Sequence, residues 1–455
     1  MTLWTSAEIA AATGGTASAD FAVGGVAFDS REIGAGDLFV AMKGTAADGH
    51  RFIDGAFARG AAGALVSEGT AHPNVRVGDT FAALEDMGRA ARARMAGKVI
   101  GVTGSVGKTS TKEALFAALD RGAPGAVHRS VKSYNNHTGV PLSLARMPRE
   151  TRFGVFEMGM NHAGELAHLT TLVRPHIALV TAIAPAHTEF FRDESAIADA
   201  KGEIFRGLEP EGVAIVPHDS PHRDRLIDAA APYAARIVTF GLDEGADVRP
   251  LETMRLDAGT FVTAKVGERE LSFTVSQPGM HWVSNALAVI AAVDAAGGDL
   301  GLAGLALGEL GGLAGRGDRF TAAVKGGEAL VIDESYNANP ASMAATLEVL
   351  AHEPGRHVAV LGEMRELGAG SDAYHAALAG PLLAARVETA LLVGERMAPL
   401  AQALEGRVDF VHVPDAATAL DRLKQVIAPG DAVLVKGSNG VGLSRVVAAL
   451  AGGVS

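Results

Sequence analysis

Residues 101–110 read Gly-Val-Thr-Gly-Ser-Val-Gly-Lys-Thr-Ser, between a short apolar stretch (99–103) and a helical pattern (109–119). No other feature constrains the fold as tightly. A strand that feeds a glycine-rich turn and then a helix is the setting of a P-loop. The turn aims backbone N–H groups at a ligand, and the helix N-terminus adds a dipole that favours an anion. Gly104, Ser105, Val106, Gly107, Lys108, Thr109 and Ser110 are the expected phosphate-binding residues. Lys108 offsets β- and γ-phosphate charge, and Thr109 offers a hydroxyl to Mg²⁺. Val102 stands where the longer pattern has glycine, so the match is to the shorter Thr-Gly-x-x-Gly-Lys-Thr-Ser form. A P-loop implies nucleotide binding and leaves the reaction open.

The rest of the chain has the pattern that such a loop needs. Apolar runs of strand length recur at 153–157, 177–183 and 213–216, separated by helical or loop stretches. Alternating strands and helices with fully apolar strands predict a mostly parallel sheet covered on both faces. Residues 1–97 read as a small α/β unit, with helical patterns at 6–12, 53–59 and 80–95 and strands near 26–29 and 37–41. Residues 240–275 alternate in polarity and suggest an antiparallel appendage, followed by a helix over 282–296. Strand patterns at 329–333, 357–361, 390–393, 408–413 and 432–435 predict a six-stranded Rossmann-like unit at the C-terminus. The expectation is an α/β protein of three domains, 1–97, 98–315 and 316–455, the central one built around the P-loop.

Composition narrows the function classes. The net charge of −12 argues against a nucleic-acid partner, which normally meets a basic face. With no cysteine in the chain, disulfides, zinc–thiolate sites and a cysteine nucleophile are excluded. The N-terminal residues lack the basic-then-apolar pattern of a signal peptide, and no apolar run predicts a transmembrane helix. The expectation is a cytoplasmic protein, and a monomer.

Several polar residues fall where a ligand would lie in such a sheet. Glu157 ends an apolar strand, beside the P-loop strand, and suits a Mg²⁺ ligand held directly or through water. His187 follows the strand pattern 177–183. The run Asp333-Glu-Ser-Tyr-Asn-Ala-Asn-Pro340 follows a C-terminal strand and reads as a ligand loop or as an ordinary Asx turn. Asn135-Asn136 suits either recognition or a turn, and Arg316 lies at a domain boundary, where it can reach across a cleft. Lys201 lies on a predicted helix, over 195–208, and by itself reads as solvated.

Taken together, Thr103-Gly-Ser-Val-Gly-Lys-Thr-Ser110, Glu157, His187, Lys201-Gly-Glu-Ile204, His281 to Asn285, Gly315-Arg316 and Asp333 resemble the Mur ligases of peptidoglycan synthesis. The resemblance spans nearly the whole chain, in family order. The stretch from Asp29 to Gly44, with Asp48-Gly-His50, resembles the uridine-nucleotide domain shared by the third- and fourth-step enzymes. Ser133-Tyr-Asn-Asn-His-Thr-Gly139 and the run from Asp333 to Met343 resemble the fourth-step enzyme, and the Asp-Asn-Pro-Arg motif of diaminopimelate-adding ligases is absent.

The resemblance implies ATP-driven joining of D-Ala-D-Ala to UDP-MurNAc-tripeptide through an acyl phosphate. It implies two Mg²⁺ ions held by Thr109, Glu157, His187 and a Lys201 that CO₂ has carbamylated. It places Asn136, His281, Asn285 and Asn337 near adenine, Asp333 near the ribose, Ser30 and Arg31 on the uridine diphosphate end, and Arg316 on the reacting anions. The rival readings are a third-step ligase, a folate polyglutamate ligase, and a P-loop regulator that binds nucleotide without ligase turnover.

Overall fold

The computed structural model describes residues 2–44, 47–185, 188–256 and 259–452. Its largest sheet has nine strands. The P-loop strand Lys98–Thr103 lies between Phe153–Glu157 and Ile177–Val180, parallel to both. The chain leaves this strand for one side and returns on the other. Its C-terminal end is therefore a topological switch point, where a parallel sheet opens a crevice for ligands.

The apolar runs are strands because both faces are covered. Ile100, Val102, Val155, Ile177 and Leu179 point into one apolar cluster, with the helix Met280–Ala296. Val99, Phe156, Ala178 and Val180 point into the other, with Ile197 and Phe205. The alternating stretch at 240–275 is not a separate appendage. Val248–Leu256, Gly259–Val266 and Arg269–Val275 continue the same sheet as an antiparallel edge, the first joined to Arg236–Phe240 by a parallel pairing. The glycine- and leucine-rich stretch after 297 contains a helix, Leu300–Glu309, whose Ala303 and Leu307 pack in the first cluster.

The N-terminal sheet has five strands, parallel except for the short Thr16–Ala17. The helix Thr80–Arg94 follows it, capped by the Asp79 carboxylate, which accepts from Phe81 N at 2.7 Å.

The C-terminal sheet has six strands. The sequence pattern located five of them. The sixth, Asp318–Val324, is an antiparallel edge strand paired with Gly327–Glu334. The order also departs from the Rossmann arrangement. The last strand, Ala432–Lys436, inserts between Gly327–Glu334 and His357–Gly362. This places Lys436 opposite Glu334 at adjacent strand ends. The helix Pro340–Ala351 starts with proline in its first turn and an Asn339–Ser342 capping box, so the polar run before it ends at a defined point.

Candidate active site

The P-loop is held against the neighbouring strand end. Ser105 N donates to Ala182 O at 2.7 Å, and Thr181 Oγ1 donates to Val106 O. Gly104 has φ 151°, and a Cβ there would meet Thr181 Oγ1 at 1.9 Å, so only glycine fits. The helix Lys108–Gly122 starts directly after the loop. Lys108 Nζ donates to Gly104 O at 2.6 Å. Burial lowers the pKa of Lys108, and Arg316 lowers it further against the pull of Glu157.

Glu157 is buried at its strand end, with both carboxylate oxygens engaged. Oε2 accepts from Thr109 Oγ1 at 2.9 Å, and Oε1 accepts from Asn135 Nδ2 at 2.7 Å. Thr109 and Glu157 thus form a compact oxygen pair beside the P-loop, a donor set suited to Mg²⁺. Lys201 is 1% exposed. Burial first, then the nearby Lys108 charge, pushes its pKa well below the ordinary value. No carboxylate among the described residues pairs with it, so a neutral amine is favoured there. His187 lies outside the described residues.

The P-loop from Ser105 onward and Glu157 open on a cavity of about 480 Å³, within the range of small-molecule sites, while Lys201 and Gly104 lie behind its wall. Ser105 to Ser110, Asn135 and Glu157 form one wall. His281 and Asn285, from the start of the helix Met280–Ala296, form a second. Arg316, Glu334, Asn337 and Lys436 form the C-terminal wall. The Arg316 guanidinium stacks 4.2 Å over the Tyr336 ring. Burial lowers the pKa of His281 to about 4, so the ring there is neutral. Lys436 Nζ donates to Asn337 O at 3.0 Å and lies 3.5 Å from Glu334 Oε2. Burial drives the two toward neutrality, raising Glu334 and lowering Lys436, while their mutual attraction opposes it.

Residues 102–293 match the Mur ligase middle domain, 318–439 the Mur ligase glutamate ligase domain, and 22–98 the Mur ligase family catalytic domain. The chain is 35% identical to the UDP-N-acetylmuramoyl-tripeptide--D-alanyl-D-alanine ligase of Escherichia coli, covering 95% of this chain and 94% of that one. The chain belongs to the Mur ligase family. Among solved structures it is similar to MurF from Acinetobacter baumannii, with TM-score 0.86, 31% identity and 98% of each chain covered. It is also similar to MurF ligase from Thermotoga maritima in complex with ADP, with TM-score 0.78, 26% identity, 93% of this chain and 96% of that one.

In this Mur ligase some expected site residues stand off the cavity. Asn136 Oδ1 accepts from Thr138 Oγ1 and from Gly139 N, both at 2.9 Å, and shapes its own turn; its neighbour Asn135 reaches Glu157 instead. Asp333 is buried, and its carboxylate accepts from Gly315 N at 2.7 Å and Ser335 N at 3.0 Å. It braces the turn that presents Arg316. Ser30 and Arg31 lie on the turn Ser30–Glu32, where Asp29 accepts from Arg31 N and pairs with its guanidinium at 2.6 Å. That turn is outside the cavity wall; Glu32 at its end meets Lys132 and Tyr134, chain neighbours of the wall residues Ser133 and Asn135.

Lys436 is a site residue that motif reading missed, and Glu334 entered it only as part of the 333–340 run, with no role of its own. A signal was available: each ends an apolar parallel strand in a charge, as Glu157 does.

Proposed function

We propose that this Mur ligase joins the tripeptide carboxylate of UDP-MurNAc-tripeptide to the amine of D-Ala-D-Ala, with ATP giving ADP and phosphate. The carrying observation is one cavity walled by the P-loop on one side and by Arg316, Glu334 and Lys436 on the other. The name shared by the curated relatives supports the choice of substrates. Residues 1–97, 98–315 and 316–455 are the corresponding uridine-nucleotide, ATP and acceptor units.

A carboxylate is a poor acyl donor because oxide is a poor leaving group. In this reading the carboxylate attacks the γ-phosphorus of ATP, ADP leaves, and an acyl phosphate forms. The dipeptide amine then attacks the carbonyl, loses a proton, and phosphate departs from the tetrahedral intermediate. The first step brings two anions together, so catalysis is mainly positioning and charge neutralisation. Lys108 and Arg316 face that charge from opposite walls. Thr109 and Glu157 would hold a Mg²⁺ ion, with His187 and Lys201 at a second. Bound there, Mg²⁺ supplies charge neutralisation at the phosphate oxygens. A neutral Lys201 amine adds CO₂ and loses a proton, which turns a buried cation site into an anionic ligand. His281, Asn285 and Asn337 serve the adenine side. Asp333 serves from outside the cavity, bracing the turn that presents Arg316.

Phosphate release from ATP tests this reading, measured with UDP-MurNAc-tripeptide in the presence and absence of D-Ala-D-Ala. Release that requires both, with a pentapeptide product by mass, supports it. Release with a single amino acid in place of the dipeptide would reassign the acceptor.

A further inference from the structure

The segment from Lys132 to Asn135 lies where the three sheets approach one another, and its side chains alternate in direction. Lys132 and Tyr134 turn to the N-terminal unit. The Tyr134 hydroxyl lies 2.9 Å from each carboxylate oxygen of Glu32, and the Lys132 ammonium pairs with the same carboxylate. Ser133 and Asn135 turn the other way. Ser133 Oγ accepts from the Tyr336 hydroxyl at 2.8 Å, and Asn135 Nδ2 donates to Glu157 Oε1 at 2.7 Å.

The backbone between these contacts has little freedom. Lys132 is held in the left-handed region at φ 52°, and its carbonyl accepts from the buried Lys112 Nζ at 2.8 Å. Lys112 lies on the P-loop helix, 3.9 Å from Glu157. Asn135 O accepts from Gly159 N at 2.7 Å. A Cβ at Gly139 would meet the Tyr134 backbone at 2.6 Å, so the segment is seated directly on the following helix. A displacement of Glu32 therefore reaches Tyr134, and the next residue, Asn135, is one of the two whose side chains hold the Glu157 carboxylate.

We propose that the Tyr134–Glu32 contact is a positioning device. It couples occupancy of the Ser30–Glu32 turn by the nucleotide-sugar diphosphate to the setting of Asn135 on Glu157, so the two nucleotides bind with positive cooperativity. Tyr134 is a positioning residue, because it lies outside the cavity wall. The inference rests on the reading that Ser30 and Arg31 take the diphosphate end. Thermodynamic reciprocity requires each ligand to tighten the other by the same factor.

Calorimetry on the full chain tests it. The Mg²⁺ complex of a non-hydrolysable ATP analogue is titrated with and without saturating UDP-MurNAc-tripeptide. In the native chain the sugar nucleotide should tighten the analogue by about fivefold or more. In Tyr134→Phe each ligand alone should bind within about twofold of native, while the tightening falls to about onefold. Native coupling retained in Tyr134→Phe, or none in the native chain, would overturn the device. Arg31→Ala tests the underlying reading separately. If it binds UDP-MurNAc-tripeptide as tightly as the native chain, the diphosphate lies elsewhere and the coupling argument falls with it.

Discussion

The central sheet meets its two neighbours in different ways. Towards the N-terminus it shares a core: Leu142 and Ala145 of the helix Gly139–Ala145 belong to the same apolar cluster as Trp4, Leu84 and Met87. Trp4 Nε1 donates to Ala145 O at 2.8 Å, and Arg94 stacks 3.8 Å from the Trp4 ring centre. Towards the C-terminus, both apolar clusters of the six-stranded sheet are made of residues beyond 318. Polar contacts cross that seam: Tyr336 to Ser133 at 2.8 Å, Thr188 Oγ1 to Leu367 O at 2.9 Å, and Arg255 Nη2 to His352 O at 3.2 Å. Opening the first seam would expose apolar side chains. Opening the second exchanges hydrogen bonds for water, which changes free energy little per bond. The cavity lies on the second seam. The fold thus fixes the N-terminal unit on the central sheet, whereas the C-terminal unit beside the cavity is held by exchangeable contacts; in the proposed reaction, that freedom would let the cavity admit substrates and then exclude water.

The comparison can be broken or sharpened by substitution. Lys108 lies on the central wall of the second seam, facing Arg316. Lys108→Ala should lower kcat by about 10²–10³-fold, the scale for losing one preorganised donor, with the melting temperature nearly unchanged. Leu84 is fully buried in the first seam. Leu84→Ala should destabilise by about 2–5 kcal/mol in chemical denaturation. The shared core also predicts that the N-terminal and central units unfold in one transition.

Acid should act on the central unit beside the first seam. His128 Nε2 lies 2.8 Å from Ser143 O, and His176 Nδ1 accepts from Val99 N at 3.0 Å. Burial, aided by nearby arginines, lowers each from the ordinary 6.5 to about 4. Between those values the unfolded chain binds more protons than the folded one. Their contribution is therefore complete above pH 6.5 and is lost as pH falls towards 4. Denaturation midpoints should drop between about pH 7 and about pH 5, and replacing both histidines with glutamine should flatten that slope. Arg255 crosses the second seam on a half-exposed side chain. Arg255→Ala should change stability by less than about 1 kcal/mol while altering the ligand dependence of domain opening in small-angle scattering.

Much of this was legible in the sequence where burial is two-sided. The strand Phe153–Glu157 reads directly as an apolar run ending in a charge, and the P-loop is a local motif whose geometry follows from its own residues. The edge strand Asp318–Val324 was not legible, because Arg319, Phe320 and Thr321 are not fully covered and do not form an apolar run. Nor does composition decide which of two adjacent amides faces the Glu157 carboxylate. That choice depends on the left-handed turn at Lys132 and the seating of the loop against Gly139, which bring Asn135 inward and leave Asn136 to cap. The Glu334–Lys436 pair depends on a strand insertion that brings together positions a hundred residues apart in sequence.

The difference between the seams is tested most directly by single-molecule energy transfer. The chain has no cysteine, so dyes can be placed on introduced ones at exposed positions. The pair Arg59→Cys and Glu244→Cys spans the first seam, and Glu244→Cys with Asp421→Cys spans the second. The first distance should stay constant when the ATP analogue and UDP-MurNAc-tripeptide bind, while the second should be broad without ligands and shorten to one narrow distribution with them. A ligand-dependent change across the first seam, or an unchanged distance across the second, would contradict the account.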